Sequence, residues 1–296
     1  MMKSLQIQYL VVLLIIGIGC KALLYFLPDN HSYIEILILF AGLLFTGIPH
    51  GAIDHFVAKR YSQNSHSPFH FVQFLLKYIL LILAYAFFWW WLPGLSLCLF
   101  IFLTALHFGE TDLHHFGKEN KMQAFAYGIF LTSWLLLTHP EDLMHWIEFI
   151  IPKNDPVFIF TYYLFKIPPI LFLILALAFS FPKKEKRLDW LLFSLILILV
   201  NQLGLIGGFA FYFAGWHGWL AFNDIRDYIK TDQNLGDLWK KAIPFTLLAS
   251  FTLIIVNIIM VSSAWKVFGA PAIIVMISLL TLPHMEVMRH IYTDKA

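Results

Sequence analysis

Thirteen histidines are spread over this chain, and four of them stand inside long apolar runs where an imidazole is costly to bury. They are His50 in Gly47-Ile48-Pro49-His50-Gly51-Ala52-Ile53-Asp54-His55, His107 in His107-Phe108-Gly109-Glu110-Thr111-Asp112, His217 in Gly215-Trp216-His217-Gly218-Trp219, and His284 in Leu282-Pro283-His284-Met285-Glu286. Ionisable and imidazole groups within membrane-depth segments usually mark function, because hydrocarbon solvates them poorly. Four neutral imidazoles converging on one centre would form a metal site. Such donors suit Fe, Zn, Cu and Ni, whereas Mg or Ca would need oxygen ligands that these positions do not supply. Iron is the choice if the chemistry involves oxygen.

Two carboxylates lie within a helical turn of these imidazoles. His50 and Asp54 are four apart and His107 and Glu110 three apart, spacings that share a helix face. A metal-bound imidazole commonly donates its other N–H to such an acceptor, which fixes the ring and its tautomer. Asp54 and Glu110 are therefore expected to orient the ligands. Pro49 and Pro283 each remove a backbone donor and bend their helix, and the glycines beside His50 and His217 permit close approach. Of the other histidines, His31, His66, His70, His139 and His145 fall in loops or at run ends, and His55, His114, His115 and His290 read as interfacial anchors.

The elements that must position these groups are membrane helices. Of 296 residues, 60% are hydrophobic and 13% charged, against about 25% charged in a soluble domain; the mean hydropathy is +0.75. A formal net charge of +2 leaves no nucleic-acid footprint. Cys20 and Cys98 both lie in apolar runs, so neither a disulfide framework nor a thiolate metal site is expected. The pattern predicts an all-α, polytopic transmembrane bundle of about ten spans, with eight to ten as the range, filling residues 1–296 as a single integral membrane domain. The spans fall at about 5–27, 34–58, 70–92, 94–116, 122–139, 157–181, 188–206, 209–229, 242–262 and 266–292. The first lacks a small-residue cleavage site and reads as a retained helix. Residues 140–156, with Glu141, Asp142, Glu148 and Asp155 around Trp146, suit a segment lying at the interface. Trp89-Trp90-Trp91 reads as an aromatic belt.

Loop charge sets the orientation. Lys183-Lys184-Glu185-Lys186-Arg187 is the strongest basic cluster and is expected on the cytoplasmic side. Alternation then places both termini, Lys59-Arg60, Lys118, Lys121, Arg226, Lys230, Lys240 and Lys241 inside as well. The four histidine-bearing spans are all even-numbered and so run in one direction. His50, His107 and His284 lie past the midpoint of theirs and His217 near the middle, which favours convergence in the cytoplasmic half.

The elements Pro49-His50-Gly51-Ala52-Ile53-Asp54-His55, His107-Phe108-Gly109, Trp216-His217 and Leu282-Pro283-His284-Met285 occur in an order that resembles the Brp/Blh family of membrane β-carotene dioxygenases. The Pro-His-Gly-x-x-Asp-His element is the most specific part. The resemblance implies an Fe(II)-dependent oxygenase of the inner membrane that splits the central double bond of β-carotene with O2, giving two retinal molecules, with a rhodopsin as possible recipient. It implies iron ligation by His50, His107 and His217. In the family the third element reads Trp-His-x-x-Arg-His, whereas Leu220 and Ala221 stand at the last two positions here; His284 is taken as the fourth ligand. A hydrocarbon substrate suits a site reached from the bilayer. The alternatives are a carotenoid- or retinal-binding or transport protein without catalysis, and a di-iron hydroxylase or desaturase. The latter needs eight or more histidines clustered in His-x-x-x-His and His-x-x-His-His motifs, whereas the chain has a single such spacing, His66 to His70, in a loop.

Overall fold

The computed structural model describes residues 2–115, 121–164, 187–229, 234–262 and 270–293, and every regular element among them is helical. In chain order the helices are α1 (Met2–Phe26), α2 (His31–Gly42), α3 (Ile48–Ala52), α4 (Asp54–Asn64), α5 (Phe71–Trp91), α6 (Pro93–His115), α7 (Lys121–Leu137), α8 (Pro140–Ile150), α9 (Pro156–Leu164), α10 (Arg187–Asn201), α11 (Leu205–Ala210), α12 (Gly218–Ile229), α13 (Leu235–Ser262) and α14 (Ala270–Thr293). Two π-helical turns interrupt the α pattern: Leu43–Gly47 before α3, and Phe211–His217 between α11 and α12.

Six stretches among the described residues are long and apolar enough to cross a membrane: Gln6–Phe26, Pro28–Asn64, Phe71–Trp91, Pro93–Leu113, Leu235–Val256 and Ala272–Tyr292. They match six of the ten expected spans. α7 and α10 fall on two more, with 17 and 15 residues described. The eighth, at 209–229, is divided by the π turn. The span expected at 157–181 is described only as far as Leu164. Lys118, Lys183 to Lys186, Lys230, Lys295 and the start of the last expected span lie outside the described residues. The long spans bear apolar side chains outward. On α5 only Tyr85 and Trp89 are buried, while Leu76, Leu80, Leu83 and Phe87 are exposed, a surface that water would penalise and lipid would not. Within the Trp89-Trp90-Trp91 run, Trp90 and Trp91 are exposed, whereas Trp89 is buried and donates to Ser278 Oγ at 2.9 Å. α8, at the start of the segment 140–156, has Ile147 and Ile150 buried and Glu141, Glu148 and Phe149 exposed.

The chain divides into two compact units. The first comprises Met1–Leu43, Thr104–His145 and Thr161–Leu220; the second comprises Leu44–Leu103, Trp146–Phe160 and Ala221–Ala296. In the first, α1 packs along α10 and α2 along α11, around a core that includes Leu10, Tyr127, Phe193, Tyr212 and Trp216. Here α6 meets α7 backbone to backbone. Ala105 and Gly109 on one face Ala124 and Gly128 on the other, such that a Cβ on Gly109 would run into the Ala124 carbonyl and one on Gly128 into that of Ala105. This is small-xxx-small packing on both partners. In the second unit, α13 packs on α3, and α14 on α4 and α5, around Ile53, Val57, Ala221, Ile225 and Met288.

Candidate metal centre

Each unit brings together two of the four intramembrane imidazoles. In the second, His50 and His284 are buried edge to face, with ring centroids 4.8 Å apart and planes at 72°. In the first, His107 and His217 are buried in nearly the same way, at 4.8 Å and 76°. All four expected ligands thus belong to pairs.

The π turns help build these pairs. In Leu43–Gly47 the proline at 49 has no N–H to give to Phe45, four residues back. The Phe45 carbonyl instead accepts from Trp239 Nε1 of α13 at 2.8 Å. His50, in the short helix that follows, directs Nδ1 to the Thr46 carbonyl at 2.9 Å. A carbonyl only accepts, so Nδ1 carries the proton and Nε2 the lone pair. In Phe211–His217 the Gly215 carbonyl accepts from the Tyr9 hydroxyl, while Tyr9 stacks on Trp219 at 3.8 Å. Single π turns inside α-helices recur at functional sites, and here one precedes His50 and the other ends on His217.

The carboxylates complete the pairs differently from their spacing. Asp54 is buried, but its partner is His284, whose Nδ1 lies 2.8 Å from Oδ1 and 3.0 Å from Oδ2; Tyr78 donates to Oδ2 at 3.0 Å. In the first unit the corresponding carboxylate is Asp112, fully buried, whose Oδ1 lies 3.4 Å from His217 Nδ1. Its Oδ2 accepts from Tyr212 and from Tyr127, the latter at 3.3 Å. Glu110 is half-buried on α6. Spacing alone did not single out Asp112 or the three tyrosines. The available signal was a second acid five residues after His107, at the polar end of an otherwise apolar run, together with tyrosines inside apolar runs whose hydroxyls need a partner when buried.

Among the described residues no three His, Cys, Asp or Glu side chains form one metal-sized group; the donors come two by two. Their chemistry nonetheless fits a first-row metal. The imidazoles are shielded from water, and three of the four direct Nδ1 to an oxygen, the arrangement that turns Nε2 toward a ligand site. His55 and His290 pack on aromatic rings instead, His55 against Phe56, Phe71 and Phe245 and His290 against Tyr61.

Long apolar helices around buried imidazole pairs define a multi-pass membrane protein. The family described as beta-carotene 15,15'-dioxygenase matches residues 41–292, and the chain belongs to that family. A beta-carotene 15,15'-dioxygenase from Uncultured marine bacterium 66A03 is 29% identical over 102 residues, 34% of this chain and 37% of that protein. The alignment therefore spans little more than a third of the relative's length. No solved structure matches the chain.

Proposed function

We propose that this protein is an iron-dependent dioxygenase of the inner membrane that cleaves β-carotene at its central double bond with O2 to give two retinal. His50, His107, His217 and His284 would hold Fe(II), with both termini cytoplasmic and about ten spans. The observation that carries the reading is the recurrence, in each unit, of a buried imidazole pair in which one ring is anchored through Nδ1 by a buried aspartate.

Bound iron would supply the activation of O2 that a spin-paired hydrocarbon cannot achieve unaided. The chain's own residues keep the imidazoles oriented and dry. Phe108 and Phe213 lie against His217, with centroids at 4.4 and 5.9 Å, and provide apolar surface suited to a polyene. Lipid delivers such a substrate without exposing it to water. A retinal-binding rhodopsin is the natural recipient of the product.

The test is retinal content, by chromatography, of β-carotene-producing bacteria expressing the protein, with an iron assay of the detergent-purified chain. Retinal with about one iron per chain supports the reading, and alanine at His50 or His107 should abolish both. Unchanged β-carotene and no bound iron, from folded protein, would replace it with a binding or transport role.

A further inference from the structure

Asp112 is a carboxylate with no exposed surface, deep in the first unit, and a charge so placed persists only if fully paired. Its partners are arranged by oxygen. Tyr212 and Tyr127 both donate to Oδ2, and Oδ1 faces Nδ1 of His217. Tyr212 and His217 are five residues apart. On an α-helix that spacing would point them about 140° from each other, but both lie in the π turn Phe211–His217, whose i to i+5 bonding brings residues five apart onto one side. The widened turn therefore serves to aim a hydroxyl and an imidazole at the same carboxylate. The second unit repeats the scheme with Tyr78, Asp54 and His284.

We propose that Asp112, held by Tyr212 and Tyr127, is a positioning residue for His217. The carboxylate keeps the proton on Nδ1 and the Nε2 lone pair directed at the metal, while the hydroxyls stop the carboxylate from rotating. This rests on the reading of His217 as a ligand, and it assigns the role to a residue that helical spacing did not select, supported by tyrosines from two helical segments.

The test is titration of the metal-free, detergent-purified full chain with Co(II), followed by ligand-field absorption, with helix content and melting temperature recorded in parallel. Asp112→Asn is expected to weaken Co(II) binding about 10- to 100-fold and to shift the spectrum at near-normal helix content. The double variant Tyr212→Phe/Tyr127→Phe is expected to shift the spectrum with a smaller loss. In turnover, kcat falls while KM for β-carotene is unchanged. If Asp112→Asn and the double variant bind Co(II) as the parent does, with the same spectrum, while His217→Ala loses it, the inference fails and the ligand reading stands. If Asp112→Asn does not fold, the double variant decides, an unchanged spectrum and affinity overturning the inference. A parent chain that binds neither Co(II) nor Fe(II) overturns both.

Discussion

The Asp54 carboxylate receives Nδ1 of His284 at 2.8 Å across 230 residues of sequence, whereas its near neighbour His50 turns to the Thr46 carbonyl. The cause is a break in the helix between them. α3 ends at Ala52 and α4 begins at Asp54, with Ile53 at φ −104°, ψ 12°. The rule that residues four apart share a face holds only along an unbroken helix, so the break releases Asp54 from the face of His50 and Tyr78 fixes it on α14's histidine.

Asp54→Asn should therefore act through His284. The side chain keeps its shape but loses the charge that favours the Nδ1–H tautomer. Iron content and retinal formation are expected to fall about 10- to 100-fold. If Asp54→Asn retains full iron and activity, while His284→Ala loses them, the carboxylate has no orienting role.

Gly109 tests whether the α6–α7 crossing sets the position of His107, two residues earlier. A methyl group there collides with the Ala124 carbonyl, a backbone atom that cannot swing aside. Gly109→Ala is expected to cost about 1–3 kcal/mol and to lower activity with it, seen as an earlier melt in detergent. Gly19→Ala is the control, since a Cβ there meets nothing within 4 Å. Equal melting of the two variants would mean that the helices separate without penalty.

Much of this architecture is written in the sequence because membrane insertion demands long apolar runs. α1, α5, α6, α13 and α14 announce themselves in that way, and so do the four histidines, whose cost in an apolar setting makes them conspicuous. The carboxylate partners were less legible. Spacing paired Asp54 with His50 because it assumes continuous α geometry, which the break at Ile53 interrupts. The two π turns engage distant side chains, Trp239 at the Phe45 carbonyl and Tyr9 at that of Gly215, which no local pattern encodes.

Trp239 offers a direct probe of the first π turn. Its indole supplies the donor that Pro49 cannot, bonding the Phe45 carbonyl while the ring stacks near Phe45 at 6.5 Å. Trp239→Phe keeps an aromatic ring and removes the N–H. A loss of about 1 kcal/mol is expected from the missing bond, with a fall in iron retention as the segment carrying His50 loosens. Amide exchange across 43–50 should quicken in the variant; protection equal to the parent's would mean that the turn holds itself.

Ala221 and Leu220 stand where the pattern this chain resembles has His and Arg, and a histidine at 221 is the sharpest test of the fourth ligand. Ala221 has no exposed surface and packs in the cluster of Ile53, Val57, Phe222, Ile225 and Leu238. An imidazole at that site adds five heavy atoms to a filled core, a change that typically costs about 1–3 kcal/mol, and brings a polar N–H among apolar neighbours at a similar further cost. Ala221→His should therefore melt earlier and bind no more iron than the parent. If His284 is the fourth ligand, Ala221→His/His284→Ala will stay inactive, because the new ring has nothing to replace. Recovery of iron and retinal formation in that double variant would transfer the ligand role to position 221 and leave His284 as a histidine hydrogen-bonded to Asp54.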